Sequence, residues 1–167
     1  MEALSQKEAE RLMAAERQGM LQYACYRLGN LRDAEDVVQD VFVRFCQLQG
    51  EGRTEIKTPS AYLFRMLANL CTSRQREARR FMTVPLAGQP EPANPGTEDF
   101  EWEYQRINRL LLDIPEKQAE VIRLRFYGDK NFREIADILG LPLTTVKSRF
   151  AYGMEKVRRG MLASHSV

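Results

Sequence analysis

A chain of 167 residues, 44% hydrophobic and 29% charged, can form one medium domain or two small ones with real cores. No apolar run approaches the ~20 residues that cross a bilayer, and the opening MEALSQKEAERLMAAERQ is too charged for a secretory signal. The net charge of +2 hides two basic blocks, Arg53 to Arg80 and Arg123 to Arg159, each net +5, separated by Gln89 to Glu103 with five acids and no base.

The N-terminal half predicts three helices. Leu21, Ala24, Cys25 and Leu28 form an i, i+3, i+4, i+7 face that Gly29-Asn30 ends. The second helix is expected to be capped by Asp33, with Asp36 three residues on, and to bury Ala34, Val38, Val41, Phe45 and Leu48. Gly50 and Gly52 follow in a polar loop. The third begins at TPSAY, where Thr58 caps and Pro59 suits the first turn, and Leu63, Leu67 and Leu70 face the core. Cys25, Cys46 and Cys71 read as small core residues of a reducing compartment, and with the only histidine at position 165 no zinc site is expected.

VPLAGQPEPANPGTED, Val84 to Asp99, holds four of the seven prolines and is acidic, so it reads as a flexible linker. Beyond it, Phe100, Tyr104, Ile107, Leu111 and Ile114 mark a fourth helix, and a fifth starts afresh at Pro115 and stops near Gly128. In NFREIADILG, Phe132, Ile135, Ala136 and Leu139 face inward and Gly140 is the left-handed stop. The last helix is expected to be capped by Thr144 or Thr145 and to bury Val146, Phe150, Met154 and Val157. The fold class is all-α: two small helical domains, 1–82 and 99–163, joined by a linker at 83–98, the second domain a helix-turn-helix.

Two polar patterns carry the functional reading. On the third helix Arg65, Asn69, Thr72, Arg76 and Arg79 are spaced 4, 3, 4, 3. A purely solvated face mixes signs; this one has no acid, which suits phosphates and base edges. On the last helix Lys147 and Arg149 can donate to guanine or phosphate, Ser148 to either, and the Thr methyls can meet thymine. Helical hairpins of this shape also occur in proteins that never touch DNA; the second basic helix and the basic tail argue for DNA. A stand-alone helix-turn-helix regulator leaves the stripe on the third helix unexplained, and a purely protein-binding helical adaptor leaves both basic blocks unexplained. No phosphate loop, metal triad or Ser/His arrangement points to an enzyme.

EIADILGLPLTTVKSRFAYGMEKVRR, Glu134 to Arg159, resembles the promoter-reading helix-turn-helix of bacterial sigma factors, and its TVKSR run is typical of the small extracytoplasmic-function (ECF) group of the sigma-70 family. AEDVVQDVFVRF, Ala34 to Phe45, resembles the helix with which these proteins hold core RNA polymerase. PSAYLFRMLANLCTSRQREARR, Pro59 to Arg80, resembles their reader and opener of the downstream promoter element.

The resemblance implies a cytoplasmic transcription initiation factor with no catalytic residue and no cofactor. Its partners would be promoter DNA, core polymerase through the β′ clamp helices and β flap, and an anti-sigma factor, which in this group can be membrane-bound. The clamp-binding positions are Glu35, Asp36, Gln39, Asp40 and Phe42. An acidic face with an aromatic suits a basic coiled coil, although Glu35 and Asp36 also suit a helix N-terminus and Phe42 also suits a core. The downstream-element positions are Tyr62, Arg65, Asn69, Thr72, Arg76, Arg79 and Arg80, with the loop Gly52 to Thr58 forming the pocket for an unpaired base. Tyr62 stands where the family often has tryptophan. The upstream-element positions are Thr144, Thr145, Lys147, Ser148, Arg149 and Tyr152.

Overall fold

The computed structural model describes residues 4–51, 58–81 and 98–165. The expected base pocket around Gly52 and the proline-rich linker lie outside them, as do the side chains of Phe100 and Tyr104. The described residues form seven helices and no strand. The chain divides into two compact units, residues 1–95 and 96–167.

The first unit packs α1 (Gln6–Leu28), α2 (Leu31–Glu51) and α3 (Pro59–Phe81) against one another in all three pairings. Ser5 opens α1 with a reciprocal cap: its hydroxyl accepts from the Glu8 amide at 3.2 Å, and the Glu8 carboxylate accepts from the Ser5 amide at 3.0 Å. Gly29 closes it at φ 86°, a conformation that a β-carbon disfavours. α2 starts earlier than the sequence suggests. The cap is Asn30, whose side-chain oxygen accepts from the Asp33 amide at 2.7 Å while its amide group donates to the Asp33 carboxylate at 2.8 Å. Asp33 is therefore the third residue of the helix and not its cap.

Ala34, Val38, Val41 and Phe45 are buried as expected, while Leu48 is only partly covered. The core is wider than a single stripe on each helix. Tyr23, Val37 and Phe64 are fully buried, and Tyr23 meets Phe64 edge-on with ring centroids 6.3 Å apart. Cys25 and Cys71 are buried, but Cys46 is exposed, which corrects its assignment to the core. It sits one position past Phe45 on α2, which turns it about 100° away from the buried line.

The second unit consists of α4 (Glu98–Leu112), α5 (Glu116–Phe126), α6 (Phe132–Leu139) and α7 (Leu143–His165). Leu111, Ile114, Ala119 and Ile122 form its centre, with Ile107, Phe150, Met154 and Val157 packed against them. Asn131 and Glu134 cap α6 reciprocally, and Gly140 ends it at φ 65° with its amide on the Ala136 carbonyl. α7 begins at Leu143, and the Thr145 and Val146 amides reach the Pro142 carbonyl at 3.0 and 3.2 Å. Thr144 and Thr145 thus stand in the first turn and not before it, so neither is the cap.

Candidate nucleic-acid interface

In the second unit α6, the Gly140 turn and α7 make a helix-turn-helix. Phe150 fixes the inner side of α7: its ring lies 5.0 Å from Phe132 and 6.0 Å from Phe126. Val146 is fully buried one turn earlier. These anchors turn Thr144, Lys147, Ser148 and Tyr152 outward; all four are exposed, and Tyr152 is 65% exposed. Thr145 and Arg149 are half-buried at the edge of the same surface. Lys147 and Arg149 have no ion-pair partner among the described residues, so their charge adds to the positive end of the helix dipole.

The far end of α7 differs. Glu155 binds Arg158 at 2.7 Å and Arg159 at 3.3 Å, and the Arg158 hydrogen bond holds the Glu155 carboxyl below its ordinary range. Lys156 donates to Gln118 on α5 at 3.2 Å. Uncompensated positive charge therefore collects at the start of α7, where a helix entering the major groove meets base edges.

In the first unit the α3 face is also open. Arg65, Asn69, Arg76, Arg79 and Arg80 are exposed, and Tyr62 is half-buried beside them. Thr72 is half-buried. Its hydroxyl accepts from Arg27 at 2.9 Å and donates to the Ala68 carbonyl at 3.0 Å, so it is already engaged within the unit.

Arg27 is the residue that periodicity missed. Only 8% exposed, it donates to the Tyr23 hydroxyl at 2.6 Å and to Gln75 at 2.9 Å as well as to Thr72. A buried guanidinium requires such partners, and together they bind the end of α1 to α3. A tyrosine with a cation four residues on, Tyr23 and Arg27, was the signal available in the sequence.

On α2, Glu35, Asp36 and Gln39 are exposed and Phe42 is half-buried, at the border between core and surface. Asp40 bonds Arg74 of α3 at 2.8 Å, with about half of its side chain open. Burial, and secondly the charge of Glu35, push the Cys25 thiol up to about 11. No group of histidine, cysteine or carboxylate residues that could hold a metal occurs among the described residues, and no described helix is long and apolar enough to cross a membrane.

Each helical unit presents an exposed helix face rich in cationic side chains. Comparison with known proteins gives the class. Residues 12–81 match the sigma-70 region 2 family and residues 110–159 the sigma-70 region 4 family. The ECF RNA polymerase sigma factor RpoE of Cereibacter sphaeroides is 30% identical over 133 residues, covering 77% of this chain and 72% of that protein. The ECF sigma factor SigW of Bacillus subtilis is 29% identical over 153 residues, covering 81% and 79%. Among solved structures, CnrH in complex with the cytosolic domain of CnrY is similar with a TM-score of 0.67 at 24% identity, over 95% of this chain and 90% of that one. RpoE in complex with the anti-sigma factor NepR, from Bartonella quintana, is similar with a TM-score of 0.58 at 24% identity, over 92% and 93%. The chain belongs to the ECF group of RNA polymerase sigma factors.

Proposed function

We propose that this chain docks on core RNA polymerase through α2 and directs it to a promoter read at two separated elements. The start of α7, with Thr144, Thr145, Lys147, Ser148, Arg149 and Tyr152, reads the upstream element as duplex. On α3, Tyr62, Arg65 and Asn69 meet the downstream element as it opens, and Arg76, Arg79 and Arg80 hold phosphates. Glu35, Asp36, Gln39, Asp40 and Phe42 form the clamp-helix contact.

The observation that carries this reading is the division of charge: one exposed cationic helix in each unit, and an acidic face on α2 that would repel DNA and suits a basic protein surface. An apolar cavity of about 770 Å³ in the second unit, bounded by Ile107, Leu110, Phe126 and Met154, suits an apolar element such as the β flap. The protein makes no bonds itself; it lends specificity and holds opened DNA. It works in the cytoplasm under the control of an anti-sigma factor, in keeping with the complexes of CnrH with CnrY and of RpoE with NepR.

Run-off transcription with core polymerase on a genomic library tests this. The chain alone should shift duplex DNA poorly, and with core enzyme it should yield discrete start sites sharing two spaced motifs. Tight promoter binding without polymerase, and no transcript with it, would instead identify a stand-alone regulator.

A further inference from the structure

α3 changes character at Cys71. Before it, Ala61, Leu63, Phe64, Leu67 and Leu70 are buried; from Thr72 to Arg80 no residue is. The last stretch, about 2.5 turns, leaves the hydrophobic core and carries Arg76, Arg79 and Arg80 as an arm. Dispersion and apolar burial do not hold it, so its attachment depends on polar ties.

Among the described residues the arm has two such ties. Arg27 donates to Thr72 and Gln75 at 2.9 Å each, and Gln75 donates back to the Arg27 carbonyl at 2.7 Å. This tie is shielded and reciprocal. The second is the Arg74–Asp40 ion pair at 2.8 Å, with 40% and 46% of the two side chains exposed. A pair this open is screened and holds weakly, so either partner can be exchanged at little cost. Asp40 is also one of the carboxylates of the docking face on α2.

We propose that Arg74 is a positioning residue that couples polymerase docking to the promoter-facing arm: Asp40 serves Arg74 in the free protein and a cation of the polymerase in the complex. This rests on the reading of α2 as the docking face. Docking must displace Arg74, after which the arm is held through Arg27 alone. The linkage is reciprocal, so removing Arg74 favours docking by as much as docking disfavours the pair.

The test is the affinity of the full chain for purified core polymerase, measured by fluorescence anisotropy at low and high salt. Arg74→Gln should tighten binding about two- to fivefold at low salt, the range of an exposed ion pair, and the gain should fade at high salt. Arg74→Lys, which keeps the charge, should behave like the unaltered protein. Asp40→Asn should weaken binding, and adding Arg74→Gln to it should change nothing further. If Asp40→Asn weakens binding while Arg74→Gln leaves it unchanged or weakens it, the coupling is wrong and the docking face stands. If Asp40→Asn has no effect, the assignment of Asp40 to the docking face fails, and the coupling with it.

Discussion

Gly153 offers a sharp test of how α7 is held. It is buried in α7, where a β-carbon would stand 2.9 Å from Ile122 Cδ1 and 3.2 Å from Gln118 Cβ, both on α5. In an open helix, glycine to alanine gains about 0.5–1 kcal/mol from backbone entropy. Here the added carbon overlaps its neighbours, and overpacking costs about 1–3 kcal/mol. Gly153→Ala should therefore destabilise the second unit, by up to roughly 2 kcal/mol net. Ile122→Val removes the nearest atom and by itself costs about 0.5–1.5 kcal/mol. In the double variant the overlap with Cδ1 is gone, so the two costs should fall short of their sum by about 1 kcal/mol. Part of the cost remains because Gln118 Cβ cannot retreat without α5. Urea dependence of hydrogen exchange at the α5 and α7 amides of the full chain reports this unit. If Gly153→Ala stabilises the unit by the ordinary helix increment in both backgrounds, the close approach of α5 and α7 is wrong.

Arg149→Ala should weaken use of the upstream element by roughly 1–3 kcal/mol, read as lost preference between matched and mutated promoters in run-off competition. Asn69→Ala should leave polymerase binding and duplex docking intact but reduce opening; permanganate reactivity equal to the unaltered protein would contradict its role. Among the cysteines, only Cys46 should react readily with a thiol reagent at pH 8, since Cys25 and Cys71 are buried and a thiol with a pKa of about 11 is roughly one part in a thousand thiolate there. Folding keeps Cys25 protonated above its ordinary value of 9.0, so the stability it contributes is present below pH 9 and lost as pH rises toward 11. A Cys25→Ala variant should show a flatter alkaline loss of stability in urea titrations followed by circular dichroism.

The helical periods were legible because each helix buries one side, and burial of a 3.6-residue stripe leaves its mark in spacing. Ala34, Val38, Val41 and Phe45 show it. Caps were less legible. Asn30 and Asp33 are both good capping residues, and the side chain that wins depends on where α1 ends at Gly29. Cys46 was misread because a cysteine is small and apolar on either side of a helix, so its type does not report its direction. The polar stripe on α3 was visible as spacing, yet spacing could not reveal that Thr72 bonds Arg27, 45 residues away in sequence.

Alone, the order of residues determined the helical class, the two basic blocks, the acidic face of α2 and the turn at Gly140, because these depend on neighbours within a turn or two. Only the folded chain decided which cations stay open and which are used inside. Arg27 is enclosed by residues of α1 and α3 and Arg74 is taken up by Asp40 of α2, while Lys147 and Arg149 have no ion-pair partner among the described residues. A guanidinium is the same group in every case; what differs is whether packing brings a carboxylate or a hydroxyl within 3 Å of it, and packing is a property of the assembled helices.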